Sequence, residues 1–375
     1  MASETRERPF GRFFLPGPTE VHPEVLDAQV RPVVGHRGPA TKELLARLQP
    51  VLGRLFGTSR PVYLSTSSAT GLMEAAVTNL SRRRILCLVC GAFSGRFHDI
   101  ARLTGRPADR LEAEWGAPNL PERLAERLAD DPGRYDLVTV VHSETSTGVL
   151  NPVAGLAEVV RDFDGVLLAV DGVSSVAGAP MAFDDWGADF LLTGSQKALA
   201  LPPGLALGAA SERALERAAS VPARSYYFDL VDFERRAREH QTPNTPALTL
   251  LYALERQLER IVAEGIEARF ERHEAMARRT HAWTEAAAGR TGEPFEVLAP
   301  PGYRSPTVTA IRLPERLRGP DVVAGLREHG WVIGAGYGKL KPSTIRIGHM
   351  GDHTPDQLEE LLGVLDRVLQ ETLAA

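Results

Sequence analysis

An acid and a lysine stand out by type and position. Asp171 closes an apolar run in GVLLAVDG, and Lys197 follows another in DFLLTGSQKALALPPG. Charges at the ends of buried strands are costly unless they pair or work. One kind of chemistry uses both residues. A lysine can hold pyridoxal phosphate as a Schiff base, and a carboxylate can keep the pyridine nitrogen protonated, so that the ring becomes an electron sink. Each residue also has a plainer explanation. Asp171 can shape a turn or cap a short helix, and Lys197 can snorkel from a strand end. The tight turn of Pro202, Pro203 and Gly204 is something a snorkelling lysine does not need. The run before Asp171 is apolar, so its carboxylate wants a cationic partner, which a pyridinium nitrogen would supply.

Other residues can complete such a site. Ser68, Ala69 and Thr70 fall between a strand pattern and a helix pattern. Free N–H groups and hydroxyls at a helix N-terminus suit a phosphate, and simple capping by Ser67 or Ser68 is the alternative. Gln196 can add an amide donor to the same phosphate. Phe93, in CGAFSGRF, can stack on a flat ring or fill the core. Thr145, in HSETSTG, offers a hydroxyl toward a ring oxygen. His142 in the same stretch invites a general-base reading, but a freed Lys197 amine can move the proton itself. His142 then reads as a packed or hydrogen-bonded residue. Arg346 lies between Ile345 and Ile347 and points to the opposite strand face from them. Its fork suits a substrate carboxylate, and an exposed arginine on a polar strand face is the alternative. Cys87 and Cys90 form a CxxC without a second such pair. They read as small buried hydrophobes rather than a redox pair or half a zinc site.

The elements that must position these residues are legible as apolar runs. Strand patterns cover residues 61–65, 85–90, 137–142, 166–171, 190–193 and 205–210. They are nearly continuous, as expected for strands covered on both faces. Helical patterns at 69–80, 97–104, 120–129 and 153–162 alternate with them, which predicts a parallel sheet with crossover helices. Such a sheet presents its carboxyl strand ends to one crevice, and His142, Asp171 and Lys197 all follow strand ends. Residues 211–240 are charged and helical, with an aromatic insertion of Tyr226, Tyr227 and Phe228. A Pro-broken loop follows at 241–246, then a helical region at 247–288 in two pieces meeting near Gly265. The last lobe alternates strand patterns (307–312, 331–333, 344–348) with helical ones (319–328, 354–372). We expect an extended segment over 1–20, a large domain over 21–255 and a small C-terminal domain over 256–375. The extended N-terminal segment is expected to lie across the other elements.

Composition excludes several classes. The 375 residues are 43% hydrophobic, enough for a sizeable core, and the net charge is -5 with both signs interspersed. That balance predicts neither a nucleic-acid groove nor a polybasic membrane patch. No apolar stretch approaches a membrane span. The first residues, MASETRERPFGRFF, lack the apolar core of a signal peptide, and two cysteines imply no disulfide framework. A cytoplasmic protein is expected.

Taken together these pieces resemble the class V aminotransferases of the fold-type I pyridoxal phosphate family, and within it the alanine–glyoxylate and serine–glyoxylate (serine–pyruvate) subgroup. The motifs run in order along the chain: LPGPTEVHPEVL, GHRGPATKEL, STSSATGLMEAAVTNL, CGAFSGRF, HSETSTGVLNP, AVDGVSS, TGSQKALALPPG, QTPNTP and TIRIGHMGD. The resemblance implies an α/β fold, with a mostly parallel seven-stranded sheet flanked by helices in the large domain. It implies that Lys197 is the Schiff-base lysine and Asp171 the partner of the pyridine nitrogen. By it, Ser68, Ala69, Thr70 and Gln196 hold the phosphate, Phe93 stacks on the ring, Thr145 places its hydroxyl near the cofactor, and Arg346 takes the substrate carboxylate. Thr245 would reach the phosphate of a neighbouring subunit, which implies a homodimer with shared sites, and Gly35 would lie in the N-terminal active-site loop. Two departures stand out. The phosphate loop reads Ser-Ser-Ala-Thr where relatives usually carry Ser-Gly-Ser-Gly followed by Thr or His, and Phe93 replaces the tryptophan of some relatives.

The implied reaction is ping-pong transamination from serine or alanine to glyoxylate or pyruvate. Phosphoserine, aspartate and 2-aminoethylphosphonate are the alternative donors. A desulfurase or selenocysteine lyase would need a nucleophilic cysteine late in the chain, and both cysteines precede residue 100. A degenerate, protein-binding subunit would be expected to lack Lys197 or Asp171, and both are present.

Overall fold

The computed structural model describes residues 9–374. Seven strands form the central sheet: β1 (Tyr63–Ser65), β2 (Ile85–Val89), β3 (Ala108–Glu112), β4 (Leu137–Val141), β7 (Leu167–Asp171), β8 (Phe190–Gly194) and β9 (Ala206–Ala210). A small hairpin, β5 (Ser143–Glu144) with β6 (Val149–Leu150), follows β4. The strand order is β1-β9-β8-β7-β4-β2-β3. β9 runs antiparallel to both neighbours and the other pairs are parallel. Side-chain alternation feeds two cores. Ile85, Cys87 and Val89 join one with the helices Ala69–Leu80 and Ala92–Leu103. Leu86 and Leu88 join the other with the helices Pro39–Phe56, Val153–Arg161 and Leu248–Glu264.

The sheet departs from the sequence expectation at one edge. β3 reads Ala-Asp-Arg-Leu-Glu and is only partly covered. A search for continuous apolar runs passes over such an edge strand, which carries charge on its open side. The helix expected at 97–104 begins five residues earlier, at Ala92.

The small lobe packs a four-stranded antiparallel sheet, order β10-β11-β13-β12, against helices. Its strands are β10 (Glu296–Val297), β11 (Val308–Arg312), β12 (Gly334–Ala335) and β13 (Thr344–Gly348). Residues 331–333, expected as a strand, instead bury Trp331 and Ile333 in the lobe's core and bridge to the N-terminal segment at Phe13. The long helical region divides at Gly265, which has φ of 93°. The expected domain division at 255 and 256 falls inside the helix Leu248–Glu264, whose apolar face packs in the large-lobe core through Leu251, Leu254, Leu258 and Ile261.

The N-terminal segment crosses between lobes. Phe14 is buried in the small-lobe core, with its ring stacked on His353 at 4.1 Å. Five residues later Thr19 N–H donates to Gln196 O at 2.9 Å. Residues 1–8 lie outside the described residues. No described helix is long and apolar enough to cross a membrane.

Candidate active site

The carboxyl ends of β2, β4, β7 and β8 and the start of the helix after β1 converge on one cavity. Ser68, Ala69, Thr70, Phe93, Thr145, Asp171, Gln196 and Lys197 all line it. These are eight of the eleven residues singled out from the sequence. Residues more than a hundred positions apart meet there because parallel strands align their carboxyl ends.

Asp171 and Lys197 are both buried. Burial raises the Asp171 carboxyl to about 6, against a stabilising hydrogen bond that Val173 N–H donates to Oδ1 at 2.8 Å. Burial, aided by the charge of Arg346, lowers the Lys197 ammonium to about 8. Lys197 Nζ donates to Pro16 O at 2.5 Å, so the N-terminal segment covers the amine. Gly17 makes that approach feasible. Its φ is +111°, and a Cβ there would sit 2.5 Å from Lys197 Nζ.

The phosphate-like end is built on a helix N-terminus. Ser68 is the N-cap of Ala69–Leu80 but its side chain makes no capping bond. The leading N–H groups are left without a side-chain cap, as an anion site requires. The Ser-Ser-Ala-Thr departure has a simple account: Ala69 is already the first helical residue, where alanine is favourable and glycine's freedom is not needed. Gln196 Oε1 is buried without a partner. Rotating that amide would point its donors to the same place.

At the other end, Lys197 Nζ lies 5.6 Å from the Phe93 ring centroid. Thr145 Oγ1 and Ser174 Oγ are 2.5 Å apart. Arg346 lies beside the cavity rather than lining it. Its Nη1 donates to Thr145 O at 3.2 Å and its Nε to Ala335 O at 2.9 Å, and burial lowers it to about 10. Tyr337 bridges the two groups, with its ring 5.1 Å from Phe93 and 5.6 Å from the Arg346 guanidinium.

Gly35 and Thr245 are not brought to this cavity; both are exposed. Arg37 ties their two loops together, donating to Thr242 O at 2.6 Å and Pro243 O at 2.9 Å. His142 is packed, as expected. Its Nδ1 pairs with Ser175 Oγ at 3.0 Å, and burial lowers it to about 4. Cys87 and Cys90 are buried free thiols pushed up to about 12, which suits core filling rather than reactivity. Among the described residues no cluster of metal-ligating side chains occurs.

Two charged residues of the site went unread in the sequence. Glu144 is fully buried and accepts from Phe93 N, Ser94 N, Ser94 Oγ, Ser146 N and Ser146 Oγ at 2.6–3.3 Å. It stands inside the quoted HSETSTG, but nothing local shows that it reaches a helix 50 residues away. Arg96 also lines the cavity. Its spacing of three from Phe93 places both on one face of the helix Ala92–Leu103, but the apolar pattern starts that helix only at 97, after both residues.

The pieces fit a phosphorylated pyridine: an uncapped helix start, a buried carboxylate in want of a cation, a buried amine of lowered basicity and a ring beside it. The match to known proteins agrees. Residues 98–347 match the aminotransferase class-V family, and the chain belongs to it. The chain is a pyridoxal phosphate-dependent aminotransferase of fold type I. It is 34% identical over 350 residues to L-aspartate–glyoxylate aminotransferase of Paracoccus denitrificans, covering 91% of this chain and 86% of that one. It is 33% identical over 367 residues to serine–glyoxylate aminotransferase of Methylorubrum extorquens, covering 93% and 88%. The crystal structure of alanine–glyoxylate aminotransferase from Nostoc sp. superposes with a TM-score of 0.88 at 30% identity, covering 98% of each chain.

Proposed function

We propose that this enzyme moves the amino group of serine or alanine to glyoxylate or pyruvate in a ping-pong reaction. The observation that carries it is the convergence of Asp171, Lys197 and the uncapped helix start on one cavity, with Arg346 beside it. The three relatives above share glyoxylate in their names, which supports that acceptor. When bound, pyridoxal phosphate supplies the sink for electrons freed at the donor's α-carbon. The protein's groups then have separate tasks. Asp171 pairs with the pyridine nitrogen and thereby regains the cation its burial lacks. The Lys197 amine is placed to take the proton from the donor's α-carbon and to return it two bonds along, on the far side of the nitrogen. Its lowered basicity keeps a useful fraction neutral near pH 8. Arg346 grips the donor carboxylate with its fork, and Thr145 and Phe93 fix the ring from its edge and face.

We also read the functional enzyme as a homodimer. Val30 is 87% exposed, Val33 71% and Tyr226 96%. Such residues near the Gly35 and Thr245 loops would be covered by a second copy, bringing Thr245 to the partner's phosphate and Gly35 to a shared substrate mouth. Free buried thiols suit a cytoplasmic location. A donor screen tests the reaction: mix cofactor-loaded enzyme with single amino acids and follow its visible absorbance. Serine and alanine should discharge the band quickly, and Lys197→Ala should lack both band and turnover. Discharge by phosphoserine or aspartate alone would overturn the donor assignment, and normal turnover by Lys197→Ala would overturn the mechanism.

A further inference from the structure

Arg96 is a cation that the reaction above leaves unused. It sits on the helix Ala92–Leu103, one turn after Phe93, with its guanidinium carbon 4.9 Å from that ring's centroid. Its Nη1 donates to Thr70 Oγ1 at 3.3 Å. Thr70 is the second residue of the helix Ala69–Leu80, whose start carries no side-chain cap. Among the described residues no carboxylate forms an ion pair with Arg96. The nearby buried acid, Glu144, is instead occupied by backbone N–H groups and serine hydroxyls. A half-buried guanidinium without a counter-ion therefore stands over an uncapped helix start, in the wall of the same cavity as Asp171 and Lys197.

We propose that Arg96 is the cationic arm of the cofactor-phosphate site. The assignment rests on the pyridoxal phosphate reading and adds a residue to it. The charge arithmetic asks for such a group. A phosphate monoester carries about -1.5 to -2 charges near neutral pH, whereas a helix N-terminus offers only about half a positive charge. Lys197 cannot make up the difference, because its amine is committed to the cofactor's other end. Arg96 reaches that helix start through Thr70. Its contact to Thr70 also separates it from the donor end. Arg346 and Arg96 flank the Phe93–Tyr337 ring pair, Arg346 against Tyr337 and Arg96 against Phe93. One arginine thus serves the donor carboxylate and the other the phosphate.

The test compares two cofactor forms. Cofactor-free wild type, Arg96→Leu and Arg96→Lys are titrated with pyridoxal phosphate and with pyridoxal, which lacks the phosphate, and binding is followed by visible absorbance. Arg96→Leu should weaken pyridoxal phosphate about ten- to a hundredfold and leave pyridoxal binding unchanged. Arg96→Lys should recover most of the loss. Equal weakening of both forms would mean a packing role and overturn the assignment. So would unchanged pyridoxal phosphate affinity in Arg96→Leu, including the case where only turnover of dicarboxylic donors falls. A wild type that binds neither form would overturn the cofactor reading itself, and this assignment with it.

Discussion

Burial moves the protons of Lys197 and Asp171 in opposite senses. The ammonium falls to about 8 and the carboxyl rises to about 6, because each charge is taken out of water. For the lysine the consequence is kinetic. Only the neutral amine can bond the cofactor aldehyde, and an ordinary lysine would be mostly neutral only above about pH 10.4. The rate at which stripped enzyme takes up pyridoxal phosphate should therefore climb with pH and level off above about 8. A stopped-flow pH series measures this, and a midpoint near 10 would contradict it. Sign matters for stability too. A depressed lysine leaves the folded state with fewer bound protons than the unfolded one between about 8 and its ordinary value. Its contribution to the stability of cofactor-free enzyme thus rises with pH across that window. Asp171 and Lys197 were readable in sequence because charge at the end of an apolar run is anomalous. Arg96 was not, because an arginine on a helix is ordinary until Thr70 is known to lie against it.

At the scale of elements, the helix Ala92–Leu103 shows what local pattern misses. Its periodic residues suggest a start at 97, yet it begins at Ala92. The early turn forms because Phe93 N and Ser94 N donate to Glu144, which β5 delivers from the next strand unit. Gly91 leaves room for that carboxylate, since a Cβ there would lie 2.5 Å from Glu144 Cγ. The turn carries Phe93 at its second position and Arg96 one turn on, so Glu144 positions both. Glu144→Gln replaces an acceptor of five bonds by a group that must also donate. We expect a loss of about 3 kcal/mol in chemical denaturation, together with a changed visible circular dichroism of the bound cofactor as Phe93 shifts. Unchanged stability would show that the capping network is dispensable. The edge strand β3 escapes local pattern for a related reason. Its place is decided by pairing with β2, not by an apolar run of its own.

Across the whole molecule, the site depends on contacts between lobes. Arg269 is 1% exposed and joins Ala177 O and Ala198 O of the large lobe to Asp352 of the small one, at 2.9–3.2 Å. Ala198 adjoins Lys197, so this buried guanidinium holds the lysine loop against the small lobe. The N-terminal segment adds a second tie through Phe14 and Pro16. The exposed Val30, Val33 and Tyr226 point outward from this assembly and carry the dimer proposal. Val33→Asp should place a charge in that interface, shift the sedimenting species to monomer and weaken pyridoxal phosphate binding through loss of Thr245. A variant that remains dimeric with full cofactor affinity would remove Val33 from the interface.

The sequence by itself determined the class of chemistry. Apolar runs ending in Asp171 and Lys197 dictate buried strands with functional ends, and ordered motifs make that reading specific. Tertiary structure alone decided which other groups lie against them. Arg96, Glu144 and Pro16 act through space from elements whose local pattern is unremarkable, since hydrogen bonds to Thr70, Phe93 and Lys197 exist only after distant strands align. Gly35 and Thr245 mark the same divide one level higher: each is exposed in a single chain, and the role proposed for it requires a second one.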